Sequence, residues 1–278
     1  MSVGARRSAA VEAWKPGVGE FEDRVAAEEP LEIRVDGLAL AVTLRTPGDD
    51  EELAAGFVVT EGVASSAEAI DRVVAVGEVP PGSRGNVVDV RLASPATSGS
   101  RSGGSRLRRA RRPDFITAAC GICGRGTIDA VRRRAAPLKY GRTVARSWIP
   151  RLPELLRTAQ VVFAETGGLH AAGLFDFNGN LVVAREDIGR HNAVDKVVGF
   201  AALRRHLPLT NSILMVSGRT GFEIVLKAWV AGIPVLASVS APSQLAVELA
   251  EEAGMTLIGF VRGDTFNIYC GRDRIREG

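Results

Sequence analysis

Two of the three cysteines in this 278-residue chain lie in the stretch ITAACGICGRGTID, residues 116–129. Cys120 and Cys123 have the Cys-x-x-Cys spacing, and each is followed by glycine. Such a pair can supply half of a metal site, close a disulfide, or act as two reactive thiols. Three cysteines are too few for a disulfide scaffold, which leaves metal binding and redox chemistry ahead of a structural staple. A structural zinc ion takes four ligands, usually cysteine and histidine. The other two would have to come from Cys270, His170, His191 and His206. A zinc deaminase combines its Pro-Cys-x-x-Cys with a His-x-Glu motif. Here every histidine lies downstream of the pair, none is followed by x-Glu, and no proline precedes Cys120. Thiol chemistry fits these residues better. Gly121 and Gly124 clear side-chain bulk from beside each sulfur, and GTIDAVRRR can open a helix just after them, with Arg125 adjacent. A helix N-terminus and a nearby cation both draw a thiol pKa down from about 8.5. Two activated thiols can pass on a sulfur atom or cycle through a disulfide.

A second constellation is VAREDIGRHNAVDKVVG, residues 183–199. Glu186, Asp187, Arg190, His191, Asn192, Asp195 and Lys196 crowd between an apolar strand and an apolar helix. At helical spacing His191 and Asp195 share a face, and Asp187 can orient the imidazole from the preceding loop. That makes His191 a candidate proton shuttle or phosphate contact. The competing reading is a cluster of caps and salt bridges.

The third is SGRTGFE, residues 217–223, between a strand and a helix. Thr220 and Glu223 have capping-box spacing. Free N–H groups at such a helix start, two glycines and Arg219 suit a phosphate or another anion. SVSAPS, which carries Ser240, repeats the arrangement at the next strand–helix turn, and ETGGLHAAGLF (165–175) adds a glycine-rich loop bearing His170. Polar turns on neighbouring strand ends describe a nucleotide cleft, into which Arg219, Thr220, His191 and Ser240 are placed by their turn chemistry.

The elements that must position these residues can be read from periodicity. Hydrophobic residues make up 46% of the chain and aromatics 5%, so a sizeable core is built mainly from aliphatic side chains. No apolar run is long enough to span a bilayer, and the first residues lack a signal-peptide core; the expectation is a cytoplasmic protein without membrane or nucleic-acid partners. The net charge of +3 has a local origin: residues 94–112 hold six arginines and no acid, leaving −3 on the rest. That Ser/Gly/Arg composition reads as a flexible loop at 94–113; the competing reading is a basic tract that binds nucleic acid or another polyanion. Residues 1–20 read as a mobile tail and 21–93 as a small α+β domain. Within the latter a hairpin turns at Asp36-Gly37, Asp49 caps a helix, Ser65 and Glu68 begin another, and GNVVDVRLA forms a strand. From 114 to 278 the pattern predicts a helix at PRLPELLRTAQ and a buried strand at VVFAE. A hairpin at Asn178-Gly179 and a helix over 192–206 follow. Beyond 211, strands alternate with helices, the last of which has Pro242 near its first turn. The alternation means a mixed, partly parallel sheet covered by helices, an α/β fold (α+β overall). Such sheets bind ligands beyond their strand ends.

Taken in order, EEPLEIRVDG, RTPGDDEELAAGF, CGICG, ETGGLHAAGLFD, REDIGRHNAVDKVVG, SGRTGFE, AGIPVLASVSAPSQLAVELAEEAGMTLIGFVRG and FNIY resemble the formate dehydrogenase accessory sulfurtransferase family, FdhD/NarQ. The resemblance spans about residues 28–270; the arginine-rich loop and the N-terminal tail lie outside it. One departure is Gly221, where serine is expected, which removes a hydroxyl contact to ligand. The resemblance implies a cytoplasmic homodimer whose C-terminal domain is cytidine-deaminase-like, without a metal held by protein side chains. It implies a sulfurtransferase that takes persulfide sulfur from a cysteine desulfurase and delivers it to the molybdenum bis(molybdopterin guanine dinucleotide) cofactor needed by formate dehydrogenase. Carried over by motif, Cys120 is the persulfide carrier and Cys123 its partner, and the cofactor-binding stretch falls on Phe260, Val261, Arg262, Gly263, Asp264 and Thr265. The alternatives are a zinc-dependent deaminase-like enzyme and a non-catalytic carrier of the cofactor.

Overall fold

The computed structural model describes residues 7–76, 86–93, 136–139 and 141–277. Cys120, Cys123 and the arginine-rich segment 94–113 lie outside the described residues.

The N-terminal part holds two sheets. Strands β1 (Ser8–Lys15) and β2 (Gly19–Ala26) form an antiparallel hairpin, so the stretch expected as a tail up to residue 20 is structured from Ser8. Strands β3 (Glu29–Val35), β4 (Leu38–Arg45), β5 (Ile70–Ala75) and β6 (Val87–Leu92) form a second sheet in the order β4-β3-β6-β5. Its β3–β4 turn is the Asp36-Gly37 hairpin read from the sequence. Both residues take positive φ, 49° and 81°, as a tight turn matching strand twist requires.

Helix α1 (Asp50–Thr60) follows β4. Asp49 occupies its N-cap position in a left-handed conformation, but its carboxylate makes no capping bond. It pairs instead with Arg7. Ser65 and Glu68 do not open an α-helix either: a single 3-10 turn at Ala67–Ala69 leads straight into β5. The β-branched run Ile70, Val73, Val74 prefers the pleated surface, and β5 pairs with β6.

The larger sheet has six strands in the order β13-β12-β11-β10-β8-β9. β8 (His170–Asp176) and β9 (Leu181–Asp187) are the second predicted hairpin. β10 (Ser212–Val216), β11 (Val235–Ser238) and β12 (Thr256–Arg262) run parallel. β13 (Thr265–Cys270) returns antiparallel along β12, and β8 lies antiparallel to β10. A mixed, partly parallel sheet was the expectation, and it is what the chain builds. A short pair, β7 (Val144–Ala145) with β14 (Ile275–Arg276), ties the C-terminus back to the start of this part.

Period-two alternation sends successive residues to opposite faces. Ala172, Leu174, Leu214, Val216, Leu236 and Leu257 face one core, under α4 (Arg190–Leu203), α5 (Phe222–Val230) and α6 (Gln244–Glu252). Phe175, Ile213, Met215, Val235, Ala237 and Ile258 face the other, under α2 (Leu152–Thr158). The first core does not stop at the large sheet. It continues through α1 into Leu31, Ile33, Val88 and Val90 of the N-terminal sheet, so both parts share one apolar interior.

The stretch VVFAE, expected as a strand, is part of α3 (Val161–Thr166). Its apolar run is short enough to suit either state, and here Glu186 decides: the carboxylate accepts from the N–H groups of Val162 and Phe163 at 3.0 and 2.7 Å. Those are first-turn donors that a helix leaves without internal partners. Pro242 stands two residues before α6, and Ser243 is the cap, accepting from Ala246 N–H at 3.2 Å.

Candidate functional site

All three parallel strands end on one edge of the large sheet, and each is followed by a turn that opens a helix or a return strand. After β10 comes Ser217–Gly221, after β11 Val239–Ser243, and after β12 Gly263–Asp264. Backbone bonds fasten the turns to one another. The Thr220 N–H donates to Ala241 O at 3.2 Å, and Ser243 N–H donates to Thr220 O at 3.0 Å. Phe260, with φ of 53°, turns its N–H to Ser240 O, and Arg262 Nε donates to Val239 O at 3.3 Å. The structure thus brings Arg219, Thr220, Ser240 and residues 260–265 onto one continuous rim.

Their exposures differ. Arg219, Arg262, Gly263, Asp264 and Thr265 reach solvent, while Val261 is buried in the second core. The Thr265 hydroxyl closes the β12–β13 turn on Arg262 O. Thr220 does not cap α5. Gly221 holds that position without a side-chain capping bond, and the Thr220 hydroxyl, 1% exposed, has no partner among the described residues. A buried hydroxyl with nothing to bind carries an energetic cost that a ligand can relieve. At Gly221, an added side chain would meet only the flexible Glu223 carboxylate.

The charged cluster at 186–196 divides. Most of it is structural, the reading opposed to the proton-shuttle one. Asp187 accepts from Thr46 N–H, Gly189 N–H and Asn192 Nδ2, and pairs with Lys196 Nζ at 2.8 Å, both side chains fully buried. Asp195 is not a partner held ready for His191. Its carboxylate is filled by Lys227 Nζ at 2.8 and 2.9 Å and by the Thr60 hydroxyl at 2.8 Å. Burial works against the Lys227 ammonium, yet Asp195 and Glu61 hold its pKa above the usual lysine range. His191 itself is buried in the first turn of α4.

Arg190 is not tied into this network: its Nε is buried without a hydrogen bond among the described residues. It stands beside His170. A methyl group added at Gly218 would lie 3.1 Å from His170 Nδ1 and 4.0 Å from Arg190 Cδ. Burial, and then the Arg190 cation, lower the His170 pKa below its ordinary value, with Asp187 opposing. A neutral imidazole can accept at one nitrogen and donate at the other.

His170, Ser217 and Val239 open onto a cleft of about 580 Å³ whose outer wall comes from α2 and α3. That wall carries Glu154, Arg157, Gln160 and Phe163. A volume of this size accepts a drug-sized or nucleotide-sized ligand. Sequence reasoning missed Gln160 and Phe163 because VVFAE was read as a buried strand. The polar glutamine just before it was the available signal for a helix start facing open space.

The FdhD/NarQ family matches residues 26–276 of this chain. The chain belongs to that family. Its relatives include the sulfur carrier protein FdhD of Streptomyces coelicolor, 50% identical over 262 residues covering 91% of this chain and 89% of the relative. The sulfur carrier protein FdhD of Mycobacterium tuberculosis is 48% identical, covering 91% and 92%. Among solved structures, a protein from Desulfotalea psychrophila assigned as a formate dehydrogenase accessory protein superimposes with a TM-score of 0.75 at 26% identity. The match covers 98% of this chain and all of that one. The six-stranded sheet with its helix-bearing edge is therefore this family's fold.

Proposed function

We propose that this chain is a sulfur carrier acting on a molybdenum cofactor. What carries the reading is membership of a family whose curated relatives, matching nine-tenths of the chain, are named sulfur carriers, in a chain that keeps CGICG at 120–124. In this reading the Cys120 thiolate attacks the terminal sulfur of a cysteine desulfurase persulfide. The sulfur–sulfur bond of the donor breaks, the desulfurase thiolate leaves, and Cys120 holds the persulfide. Attack by Cys123 on Cys120 Sγ then releases the outer sulfur at the sulfide level to molybdenum and leaves a Cys120–Cys123 disulfide, which a cellular thiol reductant reopens.

The recipient is the molybdenum bis(molybdopterin guanine dinucleotide) that formate dehydrogenase uses, held along the strand-end rim. It is anionic and bears two pyrophosphates. The rim offers matching groups: Arg190 Nε, unbonded among the described residues, the exposed Arg219 and Arg262, the buried Thr220 hydroxyl, and the first-turn N–H groups of α4 and α5. The chain works as a cytoplasmic homodimer between desulfurase and dehydrogenase.

The test is intact-protein mass spectrometry after incubation with a cysteine desulfurase and cysteine. Wild type gains about one sulfur, ~32 Da, and Cys120→Ala does not. An unmodified wild type, with the desulfurase active on a control acceptor, rejects sulfur transfer; a Cys120→Ala variant that still activates formate dehydrogenase leaves a cofactor carrier only.

A further inference from the structure

The large sheet has a second end, away from the rim, where its parallel strands begin. Arg274, 1% exposed, fixes the C-terminal segment there by donating to Pro234 O at 3.3 Å and Gly254 O at 3.0 Å, carbonyls just ahead of β11 and β12. The segment that precedes α2 is fixed at the same end. Leu138 N–H donates to Ala253 O at 2.8 Å, the Ala136 carbonyl accepts from Trp229 Nε1 at 3.0 Å, and β7 lies along β14. The Trp148 ring covers Gly179 so closely that a Cβ there would lie 2.5 Å from it. Gly179 is in the β8–β9 turn, beside which Asp176 pairs with Ser212 at the start of β10.

What these two segments expose is basic. Residues 136–151 contain Lys139, Arg142, Arg146 and Arg151 and no acid, and Arg272 and Arg276 join them from the C-terminus. All six are exposed. Arg146 lies 5.8 Å from the centre of the Phe266 ring and Arg151 4.8 Å from that of Trp148. Stacking of this kind pre-sets the guanidinium fork for a carboxylate. Glu277 answers Arg146 and Arg272, whereas Lys139, Arg142 and Arg276 make no hydrogen bond or ion pair among the described residues. Asp273 and, where α6 ends beside Ala253, Glu251 and Glu252 border the surface.

We infer that this face is a docking surface for an acidic patch on the protein that donates sulfur. The inference rests on the proposed function, in which the cofactor occupies the rim and the donor needs a surface of its own. The described chain also resumes on this face, at Ala136, thirteen positions after Cys123. Its arginines and tryptophan are the residue types that carry protein–protein binding energy. The bordering carboxylates would repel a phosphate backbone, while a protein surface can match both signs and be steered by the excess charge.

The test follows sulfur loading of the full chain by intact mass, using a cysteine desulfurase with cysteine as one donor and inorganic polysulfide as the other. Arg142→Glu combined with Arg276→Glu slows loading from the desulfurase about tenfold or more, and added salt slows wild type more than the variant. Polysulfide needs no docking surface and loads both proteins alike. Both side chains are exposed and unbonded among the described residues, so the variant melts with wild type; Lys139→Glu is an independent second variant on the same face. Variants that load from the desulfurase at the wild-type rate overturn the inference and leave sulfur transfer standing. So does a wild type that binds a fluorescent duplex oligonucleotide through Arg142 and Arg276 while desulfurase loading ignores them, which gives the face to nucleic acid. A wild type that takes no sulfur from a desulfurase active on a control acceptor overturns the proposed function and this inference with it.

Discussion

Gly56 of α1 and Gly199 of α4 face one another so closely that neither position has room for a β-carbon. A Cβ at Gly56 would lie 1.8 Å from Asp195 O, and one at Gly199 would lie 1.7 Å from Glu52 O. Backbone meets backbone at this crossing, and through it the N-terminal sheet and the large sheet share a core.

Either Gly56→Ala or Gly199→Ala must therefore push two helices apart, since no side chain is available to give way. Overpacking a well-filled core costs about 1–3 kcal/mol and occasionally more; with carbonyl oxygens as the obstruction, the upper end applies. For a chain of this size that is a fall in Tm of roughly 10 °C, measurable by circular dichroism. A variant melting within a degree or two of wild type would mean the helices do not cross as described.

Lys227 supports the same crossing electrostatically. Its ammonium bonds Asp195 and the Thr60 hydroxyl and approaches Glu61, bridging α5, α4 and the end of α1. Lys227→Met strands a buried carboxylate and is expected to cost about 3–5 kcal/mol. Adding Asp195→Leu removes the stranded charge, and Thr60 retains the Phe57 carbonyl as an acceptor at 3.3 Å. The double variant should be more stable than Lys227→Met alone. Chemical denaturation of the four proteins gives the coupling directly, and simple additivity would argue against a desolvated pair.

These two features also mark how far the sequence could be read. The hairpins at Asp36-Gly37 and Asn178-Gly179, and the parallel strands beyond 211, were legible because turn chemistry and period-two burial are local. Asp195 was not. Its helical spacing from His191 suggested shared chemistry, but its partners, Lys227 and Thr60, are far away in sequence, and only the packed structure supplies them. Thr220 was misread for a similar reason. Its capping-box spacing is real, yet the tie between Thr220 and the Ala241–Ser243 turn pulls its hydroxyl inward and leaves Gly221 at the cap. The rim was legible as three polar turns on strand ends. The cleft was not, because its outer wall depends on Glu186 capping a helix that periodicity alone assigned to a strand.

His170 should titrate below the ordinary histidine range, about 6.5, because burial and Arg190 disfavour its cation. Arg190→Met removes the second cause and leaves the first, so the midpoint followed by NMR at the imidazole Hε1 rises towards the ordinary value. The sign for stability follows. Between the lowered folded value and the ordinary unfolded one, the unfolded chain binds more protons, so stability rises with pH through that window. The His170 contribution is full above the ordinary range and is lost as pH falls through the folded pKa; His170→Gln removes that part of the slope. A midpoint unmoved by Arg190→Met would place the guanidinium away from the imidazole.

The β12–β13 turn separates binding from folding. Arg262 and Asp264 are exposed, Gly263 takes φ of 50° at the turn's tip, and among the described residues the Arg262 side chain makes one hydrogen bond, a 3.3 Å contact to Val239 O. Surface substitutions away from packed features change stability by about 0.5 kcal/mol or less, so Arg262→Ala and Asp264→Ala should melt with wild type. If the rim holds a guanine dinucleotide, Arg262→Ala removes a phosphate or base-edge donor, and affinity for GDP falls about tenfold, with a weaker dependence on salt because one ionic contact is gone. Asp264→Ala removes an acceptor, and its loss is independent of salt if the partner is the neutral base. Calorimetric titrations at two ionic strengths distinguish the two. Unchanged GDP affinity in both variants, at unchanged Tm, would take the nucleotide off this turn.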